Sequence, residues 1–169
     1  MEAVDWIRLT AWIALILWGA TEGFRTFSCR HPERGRWARW SWTLGAVVFS
    51  IHVALAMHFR HGWSHTSAVQ ETARQTYEVF RIRWGGGVWF NYWMAAVWIG
   101  DAVRSWLAAT DWMNSLRRPG WVRGFFLFMW FNAAVVFPHG PLRWLGAVVC
   151  AGVGILWWIR YRTAVDRSK

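Results

Sequence analysis

A chain of 169 residues with 56% hydrophobic and only 17% charged residues has too few polar groups to coat a water-facing globule. Its net charge of +10 does not point to nucleic acid, because the arginines stand between long apolar runs and build no continuous basic face. Soluble enzymes and nucleic-acid binders are thereby excluded. An all-α, polytopic membrane helix bundle is expected, one integral membrane domain over residues 1–169.

In chain order, the start carries Glu2 and Asp5 where a cleaved leader needs positive charge, so no cleavable signal peptide is expected. Apolar runs follow at 6–24, 40–57, 88–107, 121–137 and 142–159, each close to the ~20 residues of a bilayer-crossing helix. Between the second and third lies an external segment, 60–84. In it Val69, Ala73, Tyr77 and Phe80 share one helical face, while Gln70, Glu71, Arg74, Gln75, Glu78 and Arg81 take the other. Capped by Ser64, Thr66 or Ser67 and ended before Gly85-Gly86-Gly87, it reads as one amphipathic helix on the outer surface. Between the fourth and fifth runs, Pro138-His139-Gly140-Pro141 is a tight turn.

Arginine placement sets the orientation. Thirteen of the nineteen basic residues follow run one, run three or run five, which makes that side cytoplasmic. Five spans with the N-terminus outside and the C-terminus inside satisfy every segment, as in a bacterial inner membrane. The eighteen tryptophans fit interfacial belts. Trp37, Trp40, Trp42, Trp106, Trp112, Trp121, Trp157 and Trp158 fall at inner ends, and Trp6, Trp63, Trp84, Trp89 and Trp144 at outer ends. Small pairs at four-residue spacing, Gly19/Gly23, Ala96/Gly100 and Ala147/Ala151, predict close helix approach. Cys29 and Cys150 lie too far apart on this topology to bridge.

The stretch 51–71 is the richest in chemistry. His58, His61 and His65 stand at i, i+3 and i+7, on one face of any helix that runs through them. With Glu71 and His139 at the same outer level, they form a candidate site for Zn²⁺, Cu²⁺ or iron. That site requires the second helix to run unbroken to about Ser64, past Gly62. Interfacial anchoring of the imidazoles is the bland reading of the same residues. Haem is not expected, since bis-histidine ligation needs a second buried histidine on another span. His52 instead groups with Asn91 and Asn132 as a hydrogen-bonded polar layer between spans.

Glu22 and Asp101 have Arg25 and Arg104 three residues on, so each is expected to form an ion pair at a helix end. Three functional classes fit these features. One is a small membrane subunit holding a metal at its outer face for redox chemistry, metal handling or hydrolysis. Another is a non-catalytic subunit that packs between lipid and other membrane subunits. The third is a proton or solute carrier working through Glu22 and Asp101.

Overall fold

Four of the five apolar runs lie within helices longer than themselves. In the computed structural model, which describes residues 3–27, 32–107, 120–138 and 140–166, α1 is Ala3–Phe27 and α2 is Pro32–Phe59. α2 starts well before residue 40, because Pro32 is suited to a first helical position and the arginines beyond it are good helix formers. The amphipathic α3 is His65–Phe80, and α4 is Gly87–Leu107. α5, Gly120–Phe131, runs into a π turn at Asn132–Val136, and α6 is Leu142–Asp166. Among the described residues every regular element is helical.

Three of these helices, α1, α2 and α6, are long and apolar enough to cross a membrane. α4 has the length but carries Asn91, Asp101 and Arg104, while α5 is short even with its π turn. Large apolar side chains such as Ile16, Leu44, Val47, Val148 and Ile155 are bare on the outward faces, where a water-soluble fold would not leave them.

Hydrogen bonds and close contacts fix the topology. Ile7 pairs with His52 and Leu17 with Ser41, so α1 and α2 are antiparallel. Trp98 reaches Trp42 and Tyr92 reaches Met57, which sets α4 antiparallel to α2. α5 packs beside α4 and α6 beside α5, and α6 closes a ring by running parallel to α1, with Gly19 against Val149 and Glu22 against Trp157. α3 lies across one end of the ring, against α4. The first turn of α1 is at this α3 end, and the last turns of α6 are at the far end.

Indole rings fill the ring's axis. Trp18, Trp42, Trp98 and Trp130 are buried together with Phe49 and Phe126, their centroids 5–6.5 Å apart in tilted and edge-to-face pairs. Trp42 therefore belongs to the core and not to an interfacial belt, with the Arg25 guanidinium 5.7 Å from its ring centroid. Sequence periodicity could not separate it from Trp37 and Trp40, which are exposed as expected. Trp112 lies outside the described residues.

Of the small-residue pairs, Gly19 faces α6, where a Cβ would meet Val149 at 3.4 Å, but the tightest approaches fall elsewhere. A Cβ on Gly23 or Gly100 would meet nothing, whereas one on Gly146 would come within 2.5 Å of the Ala134 carbonyl oxygen. The π turn and α6 touch there backbone to backbone. Gly85 is similar: a Cβ would lie 2.4 Å from the Val69 carbonyl oxygen, so the strand of chain before α4 tucks under α3. Gly85→Val is expected to undock α3 at a cost of about 1–3 kcal/mol. Faster amide exchange confined to 65–80 would show this, and unchanged exchange would mean that α3 is held by other contacts.

α3 turns a different face inward from the one its apolar residues suggested. Ala68 and Thr76 are buried, while Tyr77 and Phe80 are exposed. Thr72 and Thr76 donate their hydroxyls to the Ala68 and Thr72 carbonyls one turn back, at 2.8 Å each. With its hydroxyl satisfied inside the helix, a threonine presents mostly its methyl group to a neighbour. The helix begins at Ser64, whose side chain accepts from the Ser67 amide, and ends where Arg81 enters the left-handed region at φ 61°.

Candidate functional site

Beneath α3 the ring of helices encloses a cavity of about 620 Å³, within the range of small-molecule sites. Its walls come from α1, α2, α3, α4 and α5 and are mostly aromatic and aliphatic. No Asp, Glu, Lys or Arg is among its lining residues, in a chain of net charge +10. Exposed Phe80, Trp84, Phe90 and Phe128 line it on the side between α4 and α5.

Polar groups enter this apolar space at a few points. His52, Asn91 and Asn132 all line the cavity, as do Gln75 and Thr76 from α3. The expected layer is present by position, but its members do not bond to one another. His52 Nδ1 lies 3.0 Å from the Ile7 carbonyl oxygen, which can only accept, so Nδ1 carries the proton. Nε2 is then an acceptor, and no described residue donates to it. Asn132 opens the π turn and gives its Nδ2 to the Phe128 carbonyl at 2.7 Å, which leaves Oδ1 as its other polar atom. The extra residue of a π turn frequently marks a functional position. Sequence reasoning found the three polar residues by depth but missed Gln75 and Thr76, since α3 was rotated in that reading.

The outer histidines do not share a face. α2 ends at Phe59, and the chain turns through Gly62 and Trp63, both with positive φ near 54° and 61°. The unbroken helix to Ser64 that the candidate metal site required is therefore not formed. Gly62 is the physical reason, since it adopts φ > 0 at no steric cost and reverses the chain there. His58 Nδ1 accepts from the Trp63 indole at 3.2 Å, and its ring lies edge-on to Phe59. His65, in the first turn of α3, faces Trp89 and Tyr92 of α4. His61 shares a surface recess with Arg60, Glu71 and Arg74. His139 lies outside the described residues. Among the described residues no three His, Cys, Asp or Glu side chains converge as metal ligands.

Glu71 is the hub of that recess. Its carboxylate accepts from Arg74 at 2.8 Å, from Gln75 at 2.9 Å and from Arg60 at 3.3 Å, tying the turn after α2 to α3. Arg74 also pairs with Glu78. Hydrogen bonds from Arg74, aided by Gln75 and the two guanidinium charges, hold the Glu71 carboxyl down to about 2. Burial and the nearby Arg60 charge lower the His61 imidazole below its ordinary value, against the pull of Glu71.

A depressed carboxylate stabilises the fold above its unfolded value near 4.5, and loses that contribution as the pH falls toward 2. A depressed histidine likewise favours the folded state above 6.5 and opposes it as the pH falls below. Both signs make α3 dock less firmly in acid. Protection of the amides in 65–80, taken relative to their intrinsic exchange rates, should fall below pH 6 and again below pH 4.5, modestly because water screens these exposed pairs. Protection that is flat across this range would overturn the assignment.

Two carboxylates sit at the far end. Asp101 pairs with Arg104 at 3.6 Å, the helix-end arrangement expected. Glu22 differs from expectation: it is 1% exposed, and its Oε2 accepts the Trp157 indole proton at 2.8 Å across to α6. Arg25 is buried near it, and Arg123 lies 5.8 Å from the Trp157 ring centroid. Thr21 and Ser41 complete this interior polar zone, both within 2.8 Å of the Leu17 carbonyl oxygen.

The chain matches no family model, no curated protein and no solved structure.

Proposed function

We propose that the chain is a five-span membrane protein that holds one amphiphilic molecule in the cavity beneath α3, at the outer face. The cavity of about 620 Å³ carries this reading, because a large space with a few polar groups among apolar walls suits a molecule that is itself mostly apolar. The ring architecture supports it. α4 and α5 join α1, α2 and α6 around one tryptophan core, so in a bilayer the five would cross together. The termini at opposite ends of the ring agree with the distribution of arginines. Exposed aromatic side chains on the α4–α5 side give such a molecule a lateral route from lipid.

The test is chemical. Protein purified in detergent is expected to retain about one equivalent of an extractable lipid-soluble molecule, identified by mass spectrometry of the extract. Met94→Trp, which fills the cavity from its buried floor, should expel it while the helical circular dichroism stays unchanged. Retention at the same stoichiometry after filling would sink the reading. Metal analysis of the same preparation bears on the histidines. Because His58, His61 and His65 face separate neighbours, no stoichiometric zinc, copper or iron is expected, and finding it would mean that the 60–64 turn rearranges. Reporter fusions after Lys169 check the topology, with an internal signal expected.

A further inference from the structure

The cavity is shallow and open on one side. We infer that it encloses only the head of a membrane lipid, whose tail leaves between α4 and α5 into the leaflet on the α3 side; this rests on the cavity reading above.

Depth comes first. Counting away from α3 at about 1.5 Å per residue, Phe49 lies one turn below His52 and Met94 one turn below Asn91. Trp130 lies two residues below Asn132. These three side chains are buried and form the floor. Beneath them the Trp98 ring closes the axis, its centroid 5.6 Å from Phe49 and 6.1 Å from Trp130. A hydrocarbon tail has no shaft to descend.

The roof and most of the wall are closed as well. Overhead, a Cβ on Gly85 would meet the Val69 carbonyl oxygen at 2.4 Å, and one on Gly87 the Thr72 methyl at 2.9 Å. Ile7 and His52 join α1 to α2, and the Tyr92 hydroxyl on the Met57 sulfur joins α4 to α2. The π turn meets α6 backbone to backbone at Ala134 and Gly146.

Between α4 and α5 the contacts are of another kind. Phe90 meets Phe125 and Phe128 ring to ring, with centroids 6.3 and 6.5 Å apart. Phe90 and Phe128 both line the cavity and are exposed outside the ring of helices. That side is the mouth, and its rings are apolar. His52 comes from α2, which does not border the mouth, and Gln75 and Thr76 come from the roof. A head seated among them leaves its tail at Phe90 and Phe128.

Size agrees. A volume of about 620 Å³ holds ~20 non-hydrogen atoms at the ~30 Å³ that a liquid water takes. That is room for a head group and the first carbons of a chain, and too little for a whole two-chain lipid. The site therefore reads the head, and its ligand arrives from the bilayer.

The test maps where each end of a lipid lies. Full-length protein in phosphatidylcholine nanodiscs is irradiated with one of two long-chain monoacylglycerols, carrying a diazirine beside the head or at the chain terminus. Glycerol hydroxyls both donate and accept, which suits a lining of amides and imidazole. The head probe is expected on His52, Phe49 or Met94. The terminal probe is expected on exposed Phe128 and Phe131, in preference to exposed Val148 and Ile155 of α6. Met94→Trp should remove both preferences. Terminal-probe adducts on Phe49, Met94 and Trp130 would mean that the whole molecule is enclosed, which overturns the inference while the cavity reading stands. Equal labelling of every outward face by both probes also overturns it. The cavity reading falls separately, if Met94→Trp fails to expel the molecule that the purified protein retains.

Discussion

Trp98→Ala is expected to lower stability by about 3–5 kcal/mol, the cost of emptying a large aromatic site in a packed core. Trp98 is fully buried, and its ring packs on Trp42, Phe49, Phe126 and Trp130 at centroid distances between 5.0 and 6.1 Å. Its indole proton reaches the Trp42 carbonyl oxygen at 3.1 Å, so truncation also removes a bond across α2 and α4. Gly45 is the matching notch: a Cβ there would lie 2.6 Å from the Trp98 ring. In a bilayer, dispersion and close packing hold helices together, since lipid tails are as apolar as the core. Thermal unfolding in detergent gives the measurement. A loss under 1 kcal/mol would mean that the tryptophan core does not hold the ring together. Trp98→Phe should recover most of the packing but not the hydrogen bond.

Glu22→Ala is expected to cost about 3 kcal/mol, as when one member of a buried polar and charged group is removed. The alanine leaves the Trp157 indole proton without its acceptor and removes the negative charge from the zone that holds buried Arg25. Glu22→Gln keeps an oxygen for the indole and should recover part of the loss. A double-mutant cycle with Trp157→Phe separates the hydrogen bond from the charge. Placed at a helix end, Glu22 would tolerate either change, and wild-type stability for Glu22→Ala would restore that view. Loss of a transport activity at unchanged stability would instead favour the carrier reading.

Composition and run lengths determine that this chain is helical, and that parts of it belong in a membrane. A backbone surrounded by lipid must satisfy its hydrogen bonds locally, and long apolar runs leave it little other choice. The arginine distribution likewise yields an expectation of termini at opposite ends, because charge is a property of position along the chain. Ser64 as a cap and Asp101 with Arg104 as a pair were legible for the same reason: each depends on residues three apart.

What the tertiary structure alone decides is which of many like residues goes inside. Eighteen tryptophans offer no sequence signal that separates Trp42 in the core from Trp40 at the surface, since burial depends on which neighbouring helix arrives. Glu22 looks like any helix-end acid until α6 brings Trp157 to it. The face of α3 was misread because Thr72 and Thr76 count as polar in a pattern, yet hide their hydroxyls in their own helix. His58, His61 and His65 share a face only if the helix continues, and one residue, Gly62, with a left-handed conformation open to it, disperses them. The cavity is the same kind of object. It is assembled from five helices far apart in sequence, so no local pattern announces it.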